Sequence, residues 1–201
     1  MKLYLKPGAC SMATHILFNE LGFDYETETV DTSAGTTATG EDFLKINPRG
    51  YVPALKLDDG QIITENPAIL EYVGDLRPGA FTPVHGTMDR VRLSEMLSFL
   101  GAELHKAFSP LFAGLEGEAR TEALAKLNVQ FKRLDNILSD ARPYLLGETY
   151  TAADMYAFVV LGWTDFLDIS LAGYTHIEAF RARIAERPAV QETLKQEGLV
   201  A

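Results

Sequence analysis

The sequence predicts an α/β plus all-α chain, with an α/β domain in front and an all-helical domain behind. Three observations predict it. Short strand-like runs alternate with helical spacing over the first 77 residues, a Pro/Gly-rich stretch follows, and beyond it nothing reads as a strand for long.

The elements follow in order. Lys2–Leu5 is a short apolar-rich strand, broken by Pro7-Gly8. Residues 11–21 (SMATHILFNEL) place Ala13, Ile16, Leu17 and Leu21 at helical spacing, and Gly22 is suited to terminate that helix. Tyr25–Val30 alternates as a strand, and the small polar residues 31–40 (DTSAGTTATG) predict a mobile loop. Glu41–Ile46 is a short helix at most. Val52–Leu57 and Gln61–Glu65 read as strands joined at Asp58-Asp59-Gly60, a hairpin signal. Pro67 suits the first residue of a helix running towards Arg77.

Residues 78–87 (PGAFTPVHGT) form the best linker in the chain. The expected boundaries are therefore 1–78 for the first domain, 79–87 for the linker and 88–201 for the helical domain. Leu124, Leu127, Phe131, Leu134 and Leu138 share one helix face. Thr151 and Asp154 form a capping-box pattern before YAFVVLGW, which is apolar almost all round and so predicts the buried centre of a bundle. Two short helices close the chain, split at Arg187-Pro188.

Composition narrows the function. The 201 residues are 47% hydrophobic and 23% charged, enough apolar content for a well-buried core. Net charge is −10 without a Lys/Arg block, which disfavours nucleic acid. No apolar run reaches the ~20 residues of a membrane span. The N-terminus lacks a long apolar region and a cleavage site, so the expected compartment is the cytoplasm. A single cysteine, Cys10, suits a reducing compartment and rules out a dithiol pair and a cysteine-rich zinc site. No metal is expected.

Four places carry candidate chemistry. Cys10 follows a strand and a Pro-Gly break where a helix begins; helix N–H groups stabilise a thiolate there, and Ser11 adds a hydroxyl donor. A free cysteine is also a common core residue, so placement alone leaves both readings open. A cis bond at Val52-Pro53 would turn the Val52 N–H and C=O towards a ligand; the competing reading is a trans proline at a strand start. Glu65 and the prospective cap Asn66 would together bind an ammonium and a carboxylate, the end-group pair of an α-amino acid, against the alternative of an ordinary cap. In Glu103-Leu104-His105-Lys106, Glu103 and Lys106 are spaced to pair, and His105 stands as a lone imidazole, functional or structural. His15 and His176 read as background helix residues.

Taken together, these segments resemble the glutathione transferases, and within them the bacterial beta class. KPGACS is similar to that class's cysteine motif, NPRGYVPAL to a segment shared across the family, and ITENPAIL to its glutathione-binding corner. AELHKAF resembles the helix that carries a second catalytic residue, and TAADMYAF the buried capping box. The resemblance implies a thioredoxin-like first domain, glutathione as co-substrate, and a homodimer. It implies Cys10 facing the glutathione sulfur and able to form a mixed disulfide with it, His105 approaching the same sulfur, and Ser11 beside them. The Val52 backbone groups, before a cis Pro53, would hold the cysteinyl part, with Tyr51 among the substrate-binding residues, and Glu65 and Asn66 would hold the γ-glutamyl end. Ser98, Glu103 and Lys106 would line the site, some of them across the dimer. Some relatives meet the glycyl carboxylate with a lysine after the second strand; here Arg49 or Lys56 is left to substitute.

The activity expected first is conjugation of glutathione to apolar electrophiles through a stabilised thiolate. A glutathione-dependent thiol–disulfide reductase is the second reading, since such exchange needs one accessible low-pKa thiolate and no partner cysteine. A carrier of apolar ligands in the interdomain cleft is the third. Phe108, Phe112, Trp163 and Phe166 are candidates for an apolar substrate pocket or for core.

Overall fold

The computed structural model describes residues 1–200. Its N-terminal part is a thioredoxin-like arrangement of a mixed sheet with helices, and its C-terminal part is all helical. In chain order the first part runs β1 (Lys2–Leu5), α1 (Ser11–Leu21), β2 (Glu26–Asp31), β3 (Thr36–Thr37), α2 (Phe43–Ile46), β4 (Ala54–Lys56), β5 (Ile62–Thr64) and α3 (Asn66–Asp75). The sheet order is β3-β2-β1-β4-β5. β1 pairs parallel to β2 through the α1 crossover, and β4 pairs antiparallel to both β1 and β5. Leu3 and Leu5 of β1 and Ala13, Ile16 and Leu17 of α1 are buried in the main core, while Tyr4 faces the other side of the sheet with Val30, Phe43 and Ala54. That is the alternation a strand with both faces covered requires.

Local signals act where expected. Gly22 ends α1 in the left-handed conformation, φ 63°. The expected mobile loop after β2 instead contains β3, which pairs with β2. The buried Glu28 carboxylate holds the strand end there, accepting from the Thr39 N–H and hydroxyl and from Lys2. Threonine's β-branched stiffness favours the extended backbone that composition alone assigned to a loop.

The second part comprises α4 (Met88–Phe99), a π-helical turn (Leu100–Leu104), α5 (His105–Phe112), α6 (Gly117–Ile137), α7 (Ala152–Phe166), α8 (Thr175–Ala185) and α9 (Pro188–Gln196). α7 is the buried centre: Ala152 to Leu161, Trp163 and Thr164 are all buried. Its start is fixed by Asp154, whose carboxylate accepts from Thr151 N and Oγ1 and from Leu145 N. The face of α6 predicted from spacing is buried at Leu127, Phe131 and Leu134. Among the described residues no helix is long and apolar enough to cross a membrane.

The two parts are locked around the turn that precedes α1. The Gly8 N–H donates to Glu197 Oε2 at 2.8 Å, and the Gly8 carbonyl accepts from Trp163 Nε1 at 2.8 Å. Glu197 Oε1 also meets His15 Nδ1 at 2.8 Å, so α1 itself is tied to the chain end. Asn19 bonds Thr193, and Arg187 forms a two-point pair with Glu20. His15 is therefore a buried interdomain residue, correcting the expectation of a background helix position. Gly74 permits the linker to lie against α3, since a Cβ there would overlap the Thr82 side chain.

Removing the Glu197 carboxylate strands the Gly8 N–H and the His15 ring in a buried site. Glu197→Ala is expected to lower the unfolding free energy by about 3 kcal/mol in urea titrations. A loss within experimental error would show that the clamp contributes no stability.

Candidate functional site

One cleft of about 800 Å³ lies between the two parts. From the N-terminal side it is lined by Lys6, Cys10, Arg49, Tyr51, Val52, Pro53, Glu65 and Asn66, and from the helical side by Ser98, His105, Lys106 and Tyr156. A second cavity of about 880 Å³, between the linker, α4 and α6, is lined by Phe81, Met96, Phe99 and Ile137 but by no cysteine or histidine. The chemistry-bearing side chains converge on the first.

Cys10 is the residue on which α1 starts, 9% exposed and packed into the core, yet it is among the residues that line the cleft. Both sequence readings are thus partly realised. Its thiol donates to the Val52 carbonyl at 3.4 Å. Burial pushes the thiol up to about 12; the backbone N–H groups of Cys10 and Ser11 and the charge of Lys106 pull against this without prevailing. The helix N–H groups do act in the direction expected from sequence, but desolvation is the larger effect on the ligand-free thiol. Ser11 is fully buried, and its hydroxyl bonds the backbone N–H and C=O of Lys6, closing the turn between β1 and α1. It does not line the cleft, so its expected role beside the sulfur is corrected to one of shaping the loop.

The Val52-Pro53 bond is cis, and Pro53 is buried while Val52 remains accessible. Tyr51 is 69% exposed at the rim, and its carbonyl accepts from Asn47 Nδ2. Glu65 occupies the position before α3 with φ 69°, a left-handed conformation that costs a non-glycine residue about 1–3 kcal/mol and clusters at functional sites. Its carboxylate pairs with Arg49 across the mouth of the cleft. Asn66 is not the cap expected from sequence. It is the first residue of α3, buried, and its Oδ1 accepts from Thr14 Oγ1 of α1 at 2.9 Å, while its Nδ2 has no hydrogen-bond partner.

The helical wall owes its shape to the π-helical turn. His105 N–H donates to the Leu100 carbonyl five residues back, so the helix carries an extra residue in that turn and its phase shifts just before the imidazole. Ser98, His105 and Lys106 all reach the cleft, with the Ser98 hydroxyl bonded back to Ser94 O. Glu103 points elsewhere, paired with Arg133 of α6, and the Glu103–Lys106 pair suggested by spacing does not form. His105 Nδ1 lies 2.8 Å from the Tyr156 hydroxyl, and the ring meets Trp163 edge-on at 4.7 Å. Burial, then the charge of Lys106, lowers the imidazole to about 4, so it is neutral near pH 7.

Tyr156 and Lys6 are among the cleft residues that escape the sequence reading. Tyr156 sits in the apolar run of α7, where nothing separates it from core; only its distance to His105 reveals it. Lys6 stands inside the cysteine motif, and its ammonium reaches Thr32 at 3.4 Å. Of the aromatic candidates for a substrate pocket, Phe108 and Trp163 are buried in the core, whereas Phe112 and Phe166 are 52% and 65% exposed. None of these aromatics lines the cleft.

Comparison with known proteins matches residues 8–76 to the glutathione S-transferase N-terminal domain and residues 99–188 to the glutathione S-transferase C-terminal domain. The chain is 40% identical to glutathione S-transferase GstA of Escherichia coli O157:H7, over 99% of this chain and all of that protein. It superposes on the bacterial beta class glutathione S-transferase of Sphingomonas chungbukensis with TM-score 0.95 and 44% identity, covering both chains fully. A sphingomonad glutathione S-transferase complexed with glutathione matches with TM-score 0.94 and 46% identity, again over the whole of each chain.

With its thiol raised and hydrogen-bonded, Cys10 of the ligand-free protein is a weak nucleophile. Its alkylation by iodoacetamide is expected to rise steadily with pH and to show no plateau below about pH 11. A plateau near neutrality would mean that the amide dipoles prevail after all.

Proposed function

Because the chain belongs to the glutathione S-transferase family and is beta-class-like, we propose that the cleft holds glutathione with its sulfur beside Cys10 and His105, ready to attack an apolar electrophile. The observation that carries this reading is the convergence, in one cleft, of the Val52 carbonyl beside a cis proline with Cys10 and the Glu65–Asn66 corner. An extended cysteinyl unit needs one backbone donor and one acceptor, which Val52 offers. The γ-glutamyl end carries an ammonium and a carboxylate, which suit Glu65 and the start of α3. Lys6, Arg49 and Lys106 give the cleft cations for the remaining carboxylate. Tyr51 and Ser98 sit at the rim to exclude water. Glutathione's own thiol is mostly protonated at neutral pH, so holding the anion raises the reactive fraction directly. His105 beside it would donate a hydrogen bond or take the proton.

The buried, neutral state of Cys10 favours conjugation over disulfide exchange as the principal activity. Exchange remains part of the proposal: a bound ligand that takes the Val52 carbonyl frees the Cys10 sulfur. Cys10 would then attack a glutathionylated substrate, releasing the substrate thiolate and leaving a Cys10–glutathione disulfide, which a second glutathione would cleave to give oxidised glutathione. We place the domain boundary in residues 79–87, between the end of α3 and the start of α4. We also propose a homodimer, to which Met88 and Val91, 63% and 52% exposed on α4, contribute apolar surface; sedimentation as a monomer at micromolar concentration would remove it. Glu103, outside the cleft of its own chain, is then available to the second copy.

Mass spectrometry of the protein incubated with oxidised glutathione is expected to show one adduct on Cys10, removed by reductant. Without that adduct the exchange reading fails, while conjugation is tested separately by turnover with a chromogenic electrophile. Glu65→Ala is expected to weaken glutathione binding about 10- to 100-fold by calorimetry, the loss of a hydrogen-bonded charge partner. Unchanged affinity would place the γ-glutamyl end elsewhere.

A further inference from the structure

The Tyr156 hydroxyl is buried at 1% residue exposure in the middle of α7, where a phenylalanine would serve packing equally well. A buried phenol needs an acceptor for its proton. His105 Nδ1, 2.8 Å away, is the acceptor the structure provides among the described residues. Asn66, on the other side, turns its carbonyl oxygen to Thr14, which donates to it. Its Nδ2 has no hydrogen-bond partner, and the Asn66 side chain favours negative charge on the phenol oxygen. An amide nitrogen cannot accept the phenol's proton. Thr14 donates to Asn66, and Tyr156 is left to donate to His105.

We propose that Tyr156 is a positioning residue that donates its hydroxyl proton to His105 Nδ1, fixing the neutral imidazole with its own proton on Nε2 and so making His105 a hydrogen-bond donor to the reacting sulfur and not its base. The inference rests on the reading of the cleft as the glutathione site for the identity of the sulfur, but the tautomer is a property of the ligand-free protein. Burial keeps the phenol protonated across the accessible range and keeps the imidazole uncharged near pH 7. Cys10, Glu65 and Lys106 are the other titratable groups whose charge is felt at this pair. A neutral ring whose Nδ1 already accepts has no lone pair left on Nε2. It offers an N–H, which stabilises a thiolate and cannot receive a proton from a thiol. The proton of glutathione must then leave to solvent or to another acceptor as the ligand binds.

The test begins without ligand. Long-range nitrogen–proton correlation spectra of the wild-type protein, with His105 assigned by its loss in His105→Gln, are expected to show His105 protonated at Nε2. The same spectrum of Tyr156→Phe should show that tautomer lost or mixed. A wild-type ring protonated at Nδ1 overturns the proposal whatever the cleft binds. The second arm uses the activity. His105→Gln supplies an N–H near the Nε2 position but no base, and should keep kcat within about tenfold of wild type, while His105→Ala should lose about 100-fold, as removal of a transition-state donor does. Equal losses in the two variants overturn the donor role. In Tyr156→Phe the thiol of bound glutathione, followed by thiolate absorbance, should titrate about one unit higher, a tenfold smaller thiolate fraction at neutral pH. An unchanged titration with a merely lower melting temperature would assign Tyr156 to packing alone. Failure of glutathione to bind any variant or wild type would remove the second arm's premise and leave the tautomer measurement standing.

Discussion

The Gly8 peptide is the point on which the rest of the molecule turns. Its N–H is held by a carboxylate at the far end of the chain and its carbonyl by the indole of α7. Two residues later comes Cys10, and Ser11 closes the same turn from inside. A loop between a strand and a helix is ordinarily the softest part of a domain, because its backbone groups have no ladder or helix partners. Here those groups are satisfied by the other domain. The helical part thereby helps to fix the backbone two residues before Cys10. Glu197 makes the arrangement cooperative, since one carboxylate serves both Gly8 and His15.

Within the cleft, desolvation dominates the opposing electrostatic effects. Amide dipoles at the start of α1 and the Lys106 ammonium favour a negative sulfur; exclusion of water disfavours it more. The same exclusion keeps His105 uncharged although a carboxylate, Glu65, lines the same cleft. A site of this kind is tuned by its occupant. A ligand with polar groups and carboxylates of its own would compete for the Val52 carbonyl that accepts from Cys10. Glu65 and Arg49 likewise neutralise each other at the mouth, a pairing that a ligand carrying both charges is equipped to replace.

How much of this was legible in the sequence depended on how far apart the interacting residues lie. The Thr151–Asp154 capping box and the Gly22 terminator are written within a few residues, where backbone geometry and side-chain reach are fixed by spacing, whereas at Val52-Pro53 the local sequence left cis and trans open and only the resemblance implied cis. The family resemblance supplied the cleft, since its motifs come in order along the whole chain. The partners that set chemistry are remote: His15 with Glu197, His105 with Tyr156, Glu103 with Arg133. No local pattern marks them. Spacing even misled at Glu103 and Lys106, because the π-helical turn rotates the helix between the residues that i, i+3 counting would bring together. Asn66 failed for a different reason: a cap geometry and a tertiary bond to Thr14 use the same side chain, and the tertiary bond prevailed. The sign of the thiol's shift could not be read either, since desolvation is a property of packing and not of position on a helix.

The bond from Cys10 to the Val52 carbonyl has a consequence for survival under oxidants. Peroxides attack thiolates far faster than thiols, and the step beyond sulfenic acid is irreversible for most proteins. The Cys10 sulfur is held as a thiol by burial, engaged as a donor and nearly covered. The protein's single cysteine is thereby a poor target for peroxide.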